Sequence, residues 1–312
     1  MITAKRSAYT HHPGSRERSV PFGGNSMQHG TAVFEGIRCY PGPEGPRLFR
    51  LDDHLARLLV SAELIGIPNL PDLNWLRQQV RAATARAGAS GCYVRPVLYA
   101  PDPVLGLDLR MLRYRFGVEV WPAGLVAQQD GAALTVSPWR RPPAECFPTG
   151  AKATGAYVMS AVARTHAARE GFDDAIQLDT HTGRVVEATV SNVFLVKDGR
   201  LLTPWLQDGP LAGITRDTVL TLAEDLGIEA VEGPVEVADL READEMFLTG
   251  TAMELTPVCS LDDNPCDPAG PVFRTLHETF RDVVTGRAQA RPGWLTAPQA
   301  GAASTSDWLE EF

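Results

Sequence analysis

The chain has 312 residues, 44% of them hydrophobic and 21% charged, which excludes a wholly disordered or collagen-like protein. That length accommodates one large or two medium domains, each able to bury a core. A formal net charge of −9 leaves no excess of cations to neutralise phosphates, so a general nucleic-acid partner is not expected.

No apolar run reaches the roughly eighteen residues of a membrane span. The polar N-terminal stretch lacks the apolar segment of a signal peptide. Cys39, Cys92, Cys146, Cys259 and Cys266 form no CxxC pair, and their number is odd, so reduced thiols in the cytoplasm are expected. No metal site is expected.

In chain order, residues 1–26 read as irregular. Residues 30–40 lead through a Pro/Gly turn into a short strand at 47–50. Asp52 or Asp53 is placed to cap a helix over 51–67, where leucines recur at helical spacing. A second helix is predicted over 72–87, ending at Gly88, followed by strands at 92–100 and 114–121. Residues 122–131 read as a linker.

Beyond it come a helix over 156–170 and a strand at 175–179. Apolar runs at 192–196 and 200–203 flank Lys197-Asp198-Gly199, a hairpin signal. A helix follows Gly213 and stops at Gly227, and a strand at 245–248 runs into TGTAMELTP. Residues 297–312 are rich in Ala, Ser and Gly and read as a tail.

Among 29 basic residues only Lys5, Lys152 and Lys197 are lysines. A primary amine does chemistry that a guanidinium does not. Lys5 and Lys197 read as solvated surface charges, whereas Lys152 lies in PTGAKATGAY, whose small residues let a planar group approach. By itself it is either a solvated loop lysine or a reactive amine. Gly213-Ile-Thr-Arg-Asp217 opens a helix whose first amides suit an anion, or is an ordinary capped terminus. Gly250-Thr-Ala252 offers further amides. Glu187, within VVEATVSNVF, is a surface carboxylate or a buried partner for a cation.

Together these stretches are similar to the class IV (fold-type IV) aminotransferases, and within them to the branched-chain amino acid enzymes. The resemblance is carried by HGTAVFEGIRCY (29–40), FRLDDHLARL (49–58), YVRP (93–96), AKATGAY (151–157), VVEATVSNVF (185–194), GITRD (213–217) and LTGTAMELTPV (248–258). The residues at 281–296 look like the family's closing helix and tail. Ordered segments over about 27–296 make the signal specific where any one alone is weak.

The resemblance implies an α/β fold like that of D-amino acid transaminases, with a small α+β domain at 1–120, a linker at 121–131, a larger domain at 132–296 and the cofactor in the cleft. It implies pyridoxal 5′-phosphate, carried by Lys152 as a Schiff base, with the same amine shuttling the α-proton. Glu187 would keep the ring nitrogen protonated, and Tyr157 would meet the phenolic oxygen. Arg57 would grip the phosphate with Ile214, Thr215 and Thr251. Tyr93 and the amides of Thr251 and Ala252 would take the substrate α-carboxylate. Phe34 and the other FEGIRCY residues would line the side-chain pocket. Arg95 would receive the distal carboxylate of glutamate or 2-oxoglutarate, since a buried carboxylate needs a paired cation.

A homodimer is also implied, each site completed by the partner's loop around 104–111. The chain departs from the family pattern at several places: His29 and Gly124 stand where tyrosines are common, TGAY (154–157) where GGNY is usual and Ser191 where a glutamate is usual, and the N-terminal stretch lacks the family's opening strand pattern. The expected activity is transfer between a hydrophobic L-amino acid and 2-oxoglutarate. The alternatives on the same scaffold are a specialised substrate, D-amino acid transamination and aminodeoxychorismate lysis. A catalytically silent cofactor-binding protein is the alternative of another class.

Overall fold

The computed structural model describes residues 9–10, 22–88, 91–122, 131–268 and 270–300. Gly124, Lys5, most of the expected linker and residues 301–312 of the expected tail lie outside them. The chain divides into two units that are not contiguous. The first is Met1–Gly124, Ala151–Gly155 and Val283–Phe312, and the second Leu125–Gly150 and Ala156–Asp282. The sequence suggested a single boundary within 121–131. The difference arises because 151–155 runs beside 30–34: Ala153 bridges Val33, Thr154 N–H donates to Ala32, and Gly155 N–H to Gly30.

The first unit holds β1 (Tyr9–Thr10), α1 (Asn25–His29), β2 (Val33–Phe34), β3 (Ile37–Tyr40), β4 (Arg47–Phe49), α2 (Leu51–Ile65), α3 (Leu73–Ala87), β5 (Cys92–Tyr99) and β6 (Arg115–Pro122). A closing strand, Leu295–Thr296, pairs with β4, so the sheet runs β1-β6-β5-β3-β4-closing strand, with β2 on β5. The first residues are thus less irregular than expected, since Tyr9–Thr10 pairs with β6 and α1 forms at 25–29.

Neither Asp52 nor Asp53 caps α2. Its N-cap is Arg50, in the left-handed region at φ 49°, with no side-chain cap, while Asp53 in the first turn pairs with Arg50 Nε at 2.5 Å. Two acidic residues in that turn still suit the positive end of the helix dipole. The buried stripe of α2 contains Leu51, His54, Leu55, Leu58, Ser61 and Ala62, at helical spacing. Cap chemistry fails at α2 and holds at α3, where Asp72 accepts from the amides of Asn74 and Trp75. Strand β5 alternates, burying Cys92, Val94, Pro96 and Leu98 and leaving Tyr93 and Arg95 together on the other face.

The second unit contains β7 (Ala132–Val136), α4 (Tyr157–Arg169), β8 (Asp174–Leu178), β9 (Val185–Ala188), β10 (Asn192–Lys197), β11 (Arg200–Pro204), α5 (Ile214–Asp225), β12 (Ala230–Gly233), α6 (Val237–Arg241), β13 (Glu245–Gly250), β14 (Glu254–Leu261), β15 (Asn264–Pro265) and all but the last two residues of α7 (Pro271–Val284). Its sheet is ordered β12-β11-β10-β13-β14-β7-β8-β9, with β15 on β14. Asp198 and Gly199 both take positive φ between the paired Lys197 and Arg200, the two-residue hairpin turn read from Asp-Gly.

Alternation on β10 and β13 sends Val193, Leu195, Met246 and Leu248 into one core. Phe194 and Phe247 stack on the other face at 5.2 Å, and Phe273 of α7 packs on Phe247. Among the described residues no helix is long and apolar enough to cross a membrane.

Proline opens α7, and its first amides are met from β13: Glu245 accepts from Val272 N–H at 3.0 Å and from Phe273 N–H at 2.7 Å. A Cβ on Gly270 would lie 2.1 Å from the Glu245 side chain, so the preceding residue must be small. Glu245→Ala removes this cap and is expected to lower stability by about 1–2 kcal/mol in urea unfolding. An unchanged midpoint would show that α7 does not need it.

Candidate active site

In the first unit, the chain around Lys152 is tied to two neighbours. Its carbonyl accepts from Phe34 N–H at 3.1 Å, and its own N–H donates to Ser61 Oγ at 3.0 Å. Lys152 Nζ stands 5.1 Å from the centroid of the Phe34 ring, and the Arg95 guanidinium 4.5 Å from the same centroid. Arg95 also donates from Nη2 to Tyr93 Oη at 3.0 Å. No carboxylate pairs with Arg95 among the described residues, and its buried Nε has no protein partner. A plain surface salt bridge is thereby set aside. Gly36 underlies this group: a Cβ there would come within 2.0 Å of the Tyr93 hydroxyl.

Arg57 is anchored from behind. It donates from Nε to Glu35 Oε1 at 2.6 Å and from Nη2 to Oε2 at 2.8 Å. Glu35 is fully buried and also accepts from His54 Nδ1 at 2.8 Å and from Gly36 N–H at 3.2 Å. An ionised carboxylate only accepts, so His54 carries its proton on Nδ1.

Burial alone would raise the Glu35 carboxyl, but the Arg57 charge and the His54 hydrogen bond overcome it and hold the group well below the usual range. Burial pushes His54 down; Glu35 opposes that shift, while the Arg57 and Lys152 charges add to it. Both folded-state values lie below the unfolded ones. The stabilisation is therefore present at neutral pH and is lost as pH falls, first below about 6.5 for the histidine and then below about 4 for the carboxylate.

In the second unit, Glu187 on β9 is 5% exposed. Arg141 Nη1 lies 2.7 Å from Oε1, while Asn192 Nδ2 and Leu211 N–H donate to Oε2 at 3.0 and 3.1 Å. The sequence left open a surface or a buried carboxylate, and the structure shows the buried one with a paired arginine. Asn192 also donates to the Leu211 carbonyl at 2.9 Å, linking Glu187 to the start of α5. A Cβ on the N-cap Gly213 would fall 1.9 Å from Asn192 Oδ1, so glycine is required there.

The N-cap of α5 is Gly213, and the first residues of the helix, Ile214 and Thr215, are buried. The N-terminus of a twelve-residue helix turns amides and a positive dipole end toward an anion. Thr251 and Ala252 sit in the turn directly after β13. That turn is closed by Glu254 at φ 56°, which pairs with Arg281 at 3.1 Å. Tyr157 is the first residue of α4.

The residues singled out by sequence thus fall into two groups. Lys152, Phe34, Tyr93 and Arg95 gather in the first unit, with Arg57 joined to them through Ser61. In the second unit Asn192 links Glu187 to the start of α5, and strand pairing of Asn192 with Thr249 leads to Thr251. One expectation needs correction: Glu35 of FEGIRCY does not line a pocket but is buried against α2, because Arg57 and His54 draw its carboxylate inward. His29 is exposed at the end of α1. Ser191 donates to the Met253 sulfur.

Sequence reasoning missed Glu35, His54, Ser61, Arg141 and Asn192 as parts of the site. A charge inside AVFEGI, and polar residues on the apolar stripe of α2 beside Arg57, were the available signals for the first three. Arg141 gave none, being one of two adjacent arginines in SPWRRPP.

A model of the class IV amino-transferase family matches residues 32–261. The branched-chain-amino-acid aminotransferase of Escherichia coli (strain K12) is 33% identical over 311 residues, covering 94% of this chain and 98% of its own length. The branched-chain aminotransferase of the thermophilic archaeon Thermoproteus uzoniensis, solved with norvaline, superposes with a TM-score of 0.86 at 38% identity, covering 90% of this chain and 95% of that one. The branched-chain amino acid aminotransferase of Thermobaculum terrenum, solved in its PLP form, gives 0.83 at 33% identity, covering 89% and 93%. The chain belongs to the class IV aminotransferase family.

The contact between Gly36 and Tyr93 makes this position sensitive. Gly36→Ala must displace the Tyr93 hydroxyl and, with it, the Arg95 guanidinium. A shift of that kind is expected to lower amino-acid kcat/KM by about 10–100-fold. Cofactor affinity, measured by absorbance titration of the stripped protein, should stay near wild type. Full activity in Gly36→Ala would show that Tyr93 has room to move.

Proposed function

We propose that this protein is a pyridoxal 5′-phosphate-dependent aminotransferase that exchanges an amino group between a branched-chain-like hydrophobic L-amino acid and 2-oxoglutarate. The observation that carries this reading is the Phe34 ring, flanked by the Lys152 amine at 5.1 Å and by the Arg95 guanidinium at 4.5 Å. An apolar wall with a cation beside it suits a pocket that takes an aliphatic side chain in one half-reaction and a carboxylate in the other.

The donor set fits the cofactor: a lysine among small residues, an anchored guanidinium, a helix N-terminus opened by glycine and a buried carboxylate. When bound, pyridoxal phosphate supplies the electron sink for loss of the α-proton. Lys152 holds the cofactor covalently and moves that proton as base and then acid. Arg57, Ile214, Thr215 and Thr251 bind the phosphate. Glu187, with Arg141 as its countercharge, holds the proton on the ring nitrogen, and Tyr157 meets the phenolic oxygen. Tyr93 with the amides of Thr251 and Ala252 orients the substrate α-carboxylate, and Phe34 lines the side-chain pocket.

The proposed assembly is a homodimer. It is supported by the apolar loop bearing Leu105, Leu107 and Met111, exposed by 77%, 68% and 76%, respectively. Asn25 fixes that loop by donating to the carbonyls of Val104 and Gly106, so its exposure is built in. The proposed location is the cytoplasm, supported by five cysteines without a disulfide among them. A larger or more polar substrate is the second reading, motivated by His29, which stands where the family commonly has a tyrosine.

Half-reactions of the wild type with leucine, isoleucine, valine and glutamate, followed by cofactor absorbance, test the substrate class. Arg95→Ala is expected to damage the glutamate half-reaction far more than the aliphatic ones, by about 2–5 kcal/mol for the lost charge pair. Parallel losses would recast Arg95 as a scaffold residue. A wild type inert with all four substrates would refute the branched-chain reading.

A further inference from the structure

A closed circuit of hydrogen bonds runs through the first unit. Lys152 N–H donates to Ser61 Oγ, whose hydroxyl donates to the Arg57 carbonyl at 2.8 Å. The Arg57 side chain donates twice to Glu35, and Phe34, the residue before Glu35, returns to the Lys152 carbonyl. Glu35 is the buried anion of this circuit, and His54, three residues before Arg57 on α2, clamps it from the same helix face. A guanidinium offers donors along two edges, and Glu35 takes the Nε/Nη2 edge, which fixes the plane and direction of the other.

We propose that Glu35, clamped by His54, is a positioning residue that sets the Arg57 guanidinium for the cofactor phosphate and fixes it relative to Lys152. The inference rests on the reading of Arg57 as a phosphate-binding residue. Glutamine at position 35 still accepts through its oxygen, but it presents an amide N–H₂ where the guanidinium needs an acceptor. Arg57 then loses half of its anchor and its fixed direction. The effect is specific to the phosphate, because the pyridine ring, its substituents and the Lys152 amine are untouched by the substitution.

The test strips the cofactor from the full-length wild type, Glu35→Gln and Arg57→Ala proteins, then titrates each with pyridoxal phosphate and, separately, with pyridoxal. Glu35→Gln is expected to weaken pyridoxal phosphate binding by about 10–100-fold, the span of a lost hydrogen bond to a charged group, with pyridoxal binding unchanged. Arg57→Ala should show the same selectivity, and the double variant should be no weaker than Arg57→Ala alone.

If Arg57→Ala is selective but Glu35→Gln binds both ligands like the wild type, or loses both equally, the positioning role is refuted while the reading of Arg57 stands. If Arg57→Ala shows no selectivity, the reading of Arg57 fails and takes this inference with it. Thermal melting checks that each variant is folded. If Glu35→Gln is not, His54→Leu decides in its place, since an apolar side chain has no donor for Glu35 and so removes the clamp: a selective loss supports the role, and wild-type affinity for both ligands refutes it.

Discussion

Four donors converge on the buried carboxylate of Glu35: the Nε and Nη2 of Arg57, the Nδ1 of His54 and the amide of Gly36. Taking a carboxylate fully out of water costs several kcal/mol, and only a well-formed set of partners offsets it. Residues at and beside this carboxylate reach several functional neighbourhoods. Gly36 packs beneath Tyr93, Arg57 is joined through Ser61 to Lys152, and Phe34 lies beside both Lys152 and Arg95. One burial requirement therefore ties the Arg57 guanidinium, the Lys152 backbone and the apolar wall together.

The second unit solves a related problem differently. Glu187 is also buried beside an arginine, but its remaining partners are the Asn192 amide and the Leu211 N–H, which belong to the approach to α5. Glu35 turns its charge inward to hold Arg57. Glu187 shares Asn192 with the turn that leads into Ile214 and Thr215 at the start of α5. Arg95 has no carboxylate at all among the described residues, only the Phe34 and Tyr93 rings and the Tyr93 hydroxyl. Arg57 and Arg141 are each held in a fixed direction by a carboxylate of the protein. An arginine whose charge is not answered is suited to a substrate carboxylate.

Much of this was legible in the chain. Helical leucine spacing located α2, the Asp-Gly pair located the β10–β11 turn, and the stretch at 92–100 read as the strand that carries Tyr93 and Arg95. The scarcity of lysine drew attention to Lys152, and ordered motifs supplied the family. What escaped reading depends on contacts distant in sequence. The stretch 151–155 joins the first unit because it runs beside 30–34, and local pattern does not announce such pairing. Capping of α2 was misjudged because Arg50 in a left-handed conformation enters the helix without a side-chain acceptor. The partners of Glu35 and Glu187 come from positions whose local sequence gives no reason to prefer them over neighbouring polar residues.

The account turns on one amine, and with only three lysines in the chain its position is open to direct measurement. Borohydride treatment of the purified, yellow protein fixes a lysine-bound cofactor covalently, and peptide mass mapping then locates it. The account predicts a pyridoxyl modification on the peptide carrying Lys152 and on neither of the peptides carrying Lys5 or Lys197. Modification of Lys5 or Lys197 in its place, or of no lysine in a protein that still transaminates, would contradict it.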